Sequence, residues 1–206
     1  MNKLVLSVIS VVLLLGLVTP TAAQVDLPRA GITPDSPFYF LDQWGKGLSM
    51  AFTFSSEAKA EKALKFSEER LAEMKAMAEK GKTEKSEKIS EDYQRYLELA
   101  QEKSEQTKEA QNKEKITARV ASSTSKHLSV LEEVLTKVPE EARSAIEKAK
   151  ENSKKGHMQA LNALSESNPE QAAKIGAKGL QERTERIKSA TGTEQAPALK
   201  DFRDLN

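Results

Sequence analysis

Between Leu41 and Ile187 apolar residues return every three or four positions in stretches parted by short turn-like segments and by one longer polar run over Gln101–Lys115, and no stretch alternates polar with apolar. Side chains three and four apart share one face of a helix, whereas a strand has period two. The pattern restricts the chain to helices. Usage agrees: beyond the first two dozen residues Glu, Lys, Ala, Gln, Ser and Leu dominate, and Val, Ile and Thr are sparse. There is no Cys, so packing alone must stabilise the fold. Thiol nucleophiles, Cys-ligated metals and a lipid-modified Cys are excluded with it.

Caps and breakers divide the stripes into elements. Asp35 or Ser36 caps a first helix from Pro37 to about Phe52, whose Leu41, Trp44, Leu48 and Phe52 share a face expected to turn inward. Ser55-Ser56 opens a second, with Ala60, Ala63, Leu64, Leu71, Met74, Met77 and Ala78 inward; Lys80-Gly81 stops it. A third starts near Thr83, with Ile89, Tyr93, Tyr96, Leu97 and Ala100 on one face. From Gln101 to Lys115 the stripe vanishes, yet neither Gly nor Pro interrupts the helix. Pairs such as Glu105–Lys108 and Glu109–Lys113 support it by roughly 0.2–0.5 kcal/mol each. The stripe resumes with Ile116, Val120, Thr124, His127, Leu128, Leu131, Val134, Leu135 and Val138, and Pro139 ends it. This predicts one rod of about 55 residues, roughly 80 Å long, with a bend near Asn112 left open. A fourth helix follows Pro139, and a fifth runs from Pro169 to about Ala190 with Ala173, Gly176, Leu180 and Ile187 inward.

The expected fold is therefore all-α: a helical bundle of two small three-helix lobes, residues 37–110 and 111–190, sharing the long central helix in the manner of a coiled coil. Residues 24–36 form a linker and residues 191–206 a loose tail. Six of the ten aromatics fall between Phe38 and Phe54 and none between Ile116 and Ala190, which predicts a less stable C-terminal lobe.

The first 23 residues give an address. A short basic start (Met1-Asn2-Lys3), an apolar run from Leu4 to Val18, then Pro20 and small residues to Ala23 make the anatomy of a signal peptide. Cleavage near Ala23 would place the mature chain outside the cytoplasm, secreted, at the cell surface or in a periplasm. The alternative is an uncleaved anchor over residues 4–23, since the run falls only slightly short of the roughly 20 residues a membrane span needs. Mature, the chain would carry 31 basic and 31 acidic residues, interspersed. That neutrality argues against a nucleic-acid partner.

Gly31-Ile32-Thr33-Pro34-Asp35-Ser36-Pro37-Phe38-Tyr39-Phe40-Leu41-Asp42, then Ala51-Phe52-Thr53-Phe54-Ser55-Ser56-Glu57-Ala58-Lys59-Ala60 and Ala63-Leu64-Lys65-Phe66-Ser67-Glu68-Glu69-Arg70-Leu71-Ala72-Glu73, resemble the family called domain of unknown function 5667. The resemblance covers roughly Ala30 to Ala110. It implies an extracytoplasmic helical module behind a signal or membrane segment. It implies no activity and supplies no catalytic residues.

Chemistry is sparse. His127 lies on an apolar stripe and reads as a core histidine; His157 has Lys154 and Leu161 one turn away. Neither has a second ligand at helical spacing, so no metal or other cofactor is expected. The acids recur at solvent-facing positions, so no enzyme is expected either. Ile175-Gly176-Ala177-Lys178-Gly179 imitates an RNA-binding Gly-x-x-Gly loop but lacks the sheet such loops need, and reads as close helix packing. The candidate partner-binding residues are Phe38, Tyr39 and Trp44, with Phe38 and Tyr39 off the first helix's stripe. The expected function is a non-enzymatic extracytoplasmic envelope protein, acting as a rigid helical spacer held out by the long central helix or as a module that meets another envelope protein. The alternative is an extracytoplasmic ligand sensor or a chaperone, although Leu135-Thr136 runs into Pro139 where the repeated motif of periplasmic holdases wants Gln.

Overall fold

The structure, a computed structural model, describes residues 27–191, with side chains through Arg186. The expected signal peptide, its cleavage site or anchor, the inward place of Ile187 and the tail beyond residue 191 lie outside what is described. Among the described residues six helices follow one another: α1 (Tyr39–Ala51), α2 (Ser56–Glu79), α3 (Ser86–Glu105), α4 (Ala110–Leu135), α5 (Glu140–Ser167) and α6 (Pro169–Thr191). The described residues form an all-α helical bundle without strands. The chain divides into two units, residues 25–184 and the two ends (1–24 with 185–206); of the ends only the last turns of α6 are described.

Local signals set most boundaries. The Ser55 hydroxyl accepts from the Ala58 N–H at 3.1 Å and caps α2. At its other end Gly81 has φ +67°, Gly81 N–H donates to Ala78 and Lys82 N–H donates to Met77, which satisfies the last carbonyls. Lys82 then pairs with Asp35 at 2.8 Å and Lys85 donates to the Pro34 carbonyl at 2.7 Å, so the approach to α1 is pinned to the α2–α3 turn. Asp35 is thus spent on lysines. Ser36 Oγ accepts from Phe38 N–H instead of capping α1, which starts two residues after Pro37.

The 55-residue rod does not exist. The third helix stops at Glu105, and α4 begins at Ala110. No Gly or Pro causes the break. Thr107 turns back on the chain, its hydroxyl donating to the Lys103 carbonyl at 2.9 Å. Ser104 and Thr117 meet across the turn at 2.9 Å. The energetic reason is burial. Folding α4 back lets Ile116, Val120, Leu128, Leu131 and Val134 pack into the core, at ~1.5–3 kcal/mol each. A few surface ion pairs worth tenths of a kcal/mol cannot hold a polar rod straight against that.

The two expected lobes are consequently one. A single core runs through α2, α3, α4 and α5, from Ala63 and Leu64 to Ile146 and Ala160. Its order is that of stacked hairpins. The α2–α4 ion pairs Glu61–Arg119, Lys75–Glu133 and Glu79–Lys137 rise together along both helices, so α2 and α4 run parallel. Ser90 donating to the Ala145 carbonyl, and Gly156 lying against Gln101, make α3 and α5 parallel as well. Asn168–Glu114 and Arg183–Glu132 continue the first layer with α6 beside α4. Helices α2, α4 and α6 form one layer, α3 and α5 the other. The buried positions repeat too. Ala60, Ala63, Leu64, Ser67, Arg70, Leu71, Met74 and Met77 recur 57 residues later as Thr117, Val120, Ala121, Thr124, His127, Leu128, Leu131 and Val134. One supersecondary unit is used twice, each copy covering the other's apolar face.

The last helix is turned relative to expectation. Ala172, Ile175, Gly179 and Arg183 face the stack, while Ala173 and Leu180 are exposed. Gly179 allows the approach: a Cβ there would lie 2.2 Å from Ser125 Oγ. The Gly-x-x-Gly segment sits in helix throughout.

Candidate docking site

Helix α1 wears its charges inward. It lies antiparallel on α2, as the pairs Asp42–Arg70, Lys46–Glu69 and Ser49–Lys62 show. Asp42 accepts from Arg70 Nη2 at 2.7 Å and pairs with Lys46, one turn on. Lys46 reaches Glu69 at 3.1 Å and stands 5.7 Å from the Phe66 ring centroid. Arg70 is wholly buried and divides its guanidinium between Asp42, Glu73 at 2.6 Å and the Tyr39 hydroxyl. Gln43 bridges onward, donating to Tyr39 at 2.8 Å and to Asp92 of α3 at 3.1 Å. Further along, Lys62 holds the end of α1 through the Ser49 carbonyl and hydroxyl and Thr53 Oγ1.

Burial and pairing compete in this network. Burial pushes the Glu73 carboxyl up, to about 8, against the pull of Arg70 and Lys46. It also pushes Tyr39 far above the ordinary phenol range, with Glu73 adding to it, so Tyr39 stays a neutral donor, 3.3 Å from Glu73 Oε2. Burial opposes ionisation of Asp42 too, but hydrogen bonds from Lys46 and Arg70 overcome it and lower its pKa. Arg70 is raised: burial works against its charge, and Glu73, Tyr39 and Asp42 together prevail. Its Nε nonetheless has no partner. Such a cluster clamps a helix in one orientation, because any partner removed leaves a buried charge behind.

The consequence lies on the other side. With Asp42 and Lys46 turned to α2, every exposed residue from Phe38 to Phe54 is Phe, Leu, Trp, Gly or Ala. Trp44 is 70% exposed and Phe54 86%; Phe38, Phe40 and Phe52 are similarly open, and Leu41 and Leu48 about half so. The face expected to enter the core, Leu41, Trp44, Leu48 and Phe52, is the outward one. Of the candidate residues, Phe38 and Trp44 stand on this surface. Tyr39 lies half-buried in the charge cluster and serves the clamp. Sequence reasoning missed Arg70 and Glu73. The available signal was their place inside the apolar stripe of α2, beside Leu71 and Met74.

The histidines are packing residues. His127 is buried, with Nδ1 2.9 Å from the Tyr93 hydroxyl, its ring edge-on to Tyr93 and its Nε2 unpartnered. Burial, with Lys126 nearby, depresses it to about 3. His157 Nδ1 meets the Ala121 carbonyl at 2.8 Å, and burial lowers it as well. Among the described residues no three His, Asp or Glu side chains converge as a metal shell. A groove of about 680 Å³ between α4 and α6 is lined by Arg119, Lys126, Lys174, Lys178, Glu182 and small polar side chains, and holds neither histidine.

A family model described as Domain of unknown function (DUF5667) matches residues 31–141, more than half of the chain. The chain belongs to that family. The match reaches past the Ala30–Ala110 stretch that carries the resemblance, through α4 to the first residues of α5. No match was found among curated proteins or solved structures. No helix of the described residues is long and apolar enough to cross a membrane.

Proposed function

We propose that this family member is a non-enzymatic module of the cell envelope, working outside the cytoplasm, which docks on another envelope component through α1. One observation carries the reading: a helix clamped by buried charges so that its aromatic face points away from the core. Monomeric proteins rarely expose a contiguous apolar patch of this kind unless something covers it. Aromatic side chains also give the most contact area for the least lost rotamer freedom. The apolar leader supports the extracytoplasmic setting, with cleavage near Ala23 or retention of residues 4–23 as the anchor.

A photo-crosslinking residue at position 44, introduced in cells, tests this. It should capture an envelope component, and Leu41→Glu with Leu48→Glu should abolish capture. Capture no greater than from a control at Lys155, on α5, would dismiss the reading. The chaperone alternative uses the same apolar face. It predicts that the chain suppresses aggregation of an unfolded client and that the Leu41/Leu48 pair of substitutions removes the effect.

A further inference from the structure

We infer that the occupant of the α1 face is a lipid surface, into which Trp44 and its neighbours insert beside the point where the leader meets the membrane. The inference rests on the docking reading and names its partner.

The chemistry of the face decides between lipid and protein. Protein interfaces set an apolar centre in a polar rim and carry about one hydrogen bond per 100–200 Å². The exposed residues from Phe38 to Phe54 offer no charge, and the indole N–H of Trp44 is their single side-chain donor. Hydrocarbon asks for no hydrogen bonds, and Trp sits well at its boundary with water. The polar half of α1, which an interfacial helix ordinarily shows to solvent, is here turned inward, Asp42 onto Arg70 and Lys46 onto Glu69 of α2 and Gln43 onto Asp92 of α3. The helix therefore projects an uncharged wedge from a rigid mount.

Chain length adds a second argument. The apolar run ends at Val18, and Asp35 is pinned to Lys80 and Lys82 at the α2–α3 turn. The intervening chain spans at most roughly 60 Å fully extended, at about 3.3–3.6 Å per residue. Where residues 4–23 are retained as the anchor, the linker keeps α1 within that reach of the same membrane, at high effective concentration. A tethered wedge needs little intrinsic affinity to stay seated.

The chain has one Trp, so its fluorescence reports this face alone. The full-length protein, leader included, is reconstituted into neutral phosphatidylcholine vesicles with and without brominated acyl chains. Insertion predicts emission at shorter wavelength, quenching by the brominated lipid, loss of acrylamide access, and little change when salt is raised, because no charge mediates contact. Leu41→Glu with Leu48→Glu should reduce the brominated-lipid quenching about ten-fold or more. Phe52→Ser with Phe54→Ser serves as a second variant should the first lose helicity. Trp44 left open to acrylamide while the leader holds the chain on the vesicle would overturn the inference. So would shielding that appears without lipid and grows with protein concentration, which marks a second copy of the chain. A protein adduct from position 44 in cells, together with an aqueous Trp44 on pure lipid, would overturn the lipid partner and leave the docking reading standing.

Discussion

At the scale of single residues the protein is governed by what its buried charges can reach. Arg70 is wholly buried and meets three acceptors. Replacing it with Met strands the ionised Asp42 carboxylate and takes a hydrogen-bond donor from Glu73, and the expected loss is about 3–5 kcal/mol of unfolding free energy. Replacing Arg70, Glu73 and Asp42 together by apolar residues of similar volume should restore much of that loss, since the desolvation penalty vanishes with the charges. Urea unfolding of the single and triple variants checks both. Two buried groups also set opposing pH slopes. Glu73 holds its proton up to about pH 8, against an ordinary carboxylate value near 4.5, so its contribution is complete below pH 4.5 and is lost as pH rises toward 8. His127 refuses a proton down to about pH 3, so its contribution is complete above 6.5 and is lost as pH falls toward 3. Between 4.5 and 6.5 the two offset each other. Glu73→Gln should flatten the decline above pH 6.5, and His127→Phe should lessen the decline on the acid side, the remainder of which belongs to His157 and Asp42; melting temperatures across pH 4–8 would show it. Identical profiles for wild type and variants would refute both assignments.

At the scale of elements the turn between α3 and α4 is the instructive case. Helical propensity and ion pairs favour a straight rod over Gln101–Lys115, yet burial of the following stripe decides the direction of the chain. Converting Gln106–Glu109 to four alanines should therefore leave α4 folded back on α2. A short cross-linker between Glu61→Cys and Arg119→Cys, replacing a pair bridged at 3.2 Å, would still close within one chain. A rod would put those positions on helices pointing apart, and the link would fail. The contact of α6 with α4 turns on Gly179. Ala at that position gains about 1 kcal/mol of helix propensity but meets the Ser125 hydroxyl. Gly179→Ala should stabilise the chain only when Ser125→Ala accompanies it, a coupling that a double-mutant cycle on thermal stability reads directly.

For the whole molecule, two copies of one hairpin share a core, and neither has a complete interior without the other. Residues 56–164 should therefore melt as one cooperative unit. The segments 37–110 and 111–190, expressed separately, should show little fixed tertiary structure by near-ultraviolet circular dichroism. Two separate calorimetric transitions in the intact chain would contradict the stack. The weaker C-terminal lobe suggested by the distribution of aromatics has no independent existence in this arrangement, because Leu131, Val134 and Ile146 pack with Leu71, Met74 and Tyr93.

The sequence alone determined that the chain is helical, where α2 is capped and stopped, and nearly all of the core stripes of α2, α3 and α4, but neither the break between α3 and α4 nor the start of α1. Caps and stripes depend on neighbours within one or two turns: a Ser55 cap, a Gly81 stop, Leu71 four residues from Ser67 and three from Met74. It also showed where aromatics gather. Tertiary structure decided the rest. The stripe of α1 looks the same whether it faces the core or solvent, and Arg70 and Glu73, far along the chain, draw Asp42 and turn the helix over. The doubled hairpin was equally hidden, because Arg70 and His127, or Ser67 and Thr124, occupy matching places without resembling each other. Periodicity records that a residue has an inside; which neighbour supplies that inside is set by charge and volume brought together from distant parts of the chain.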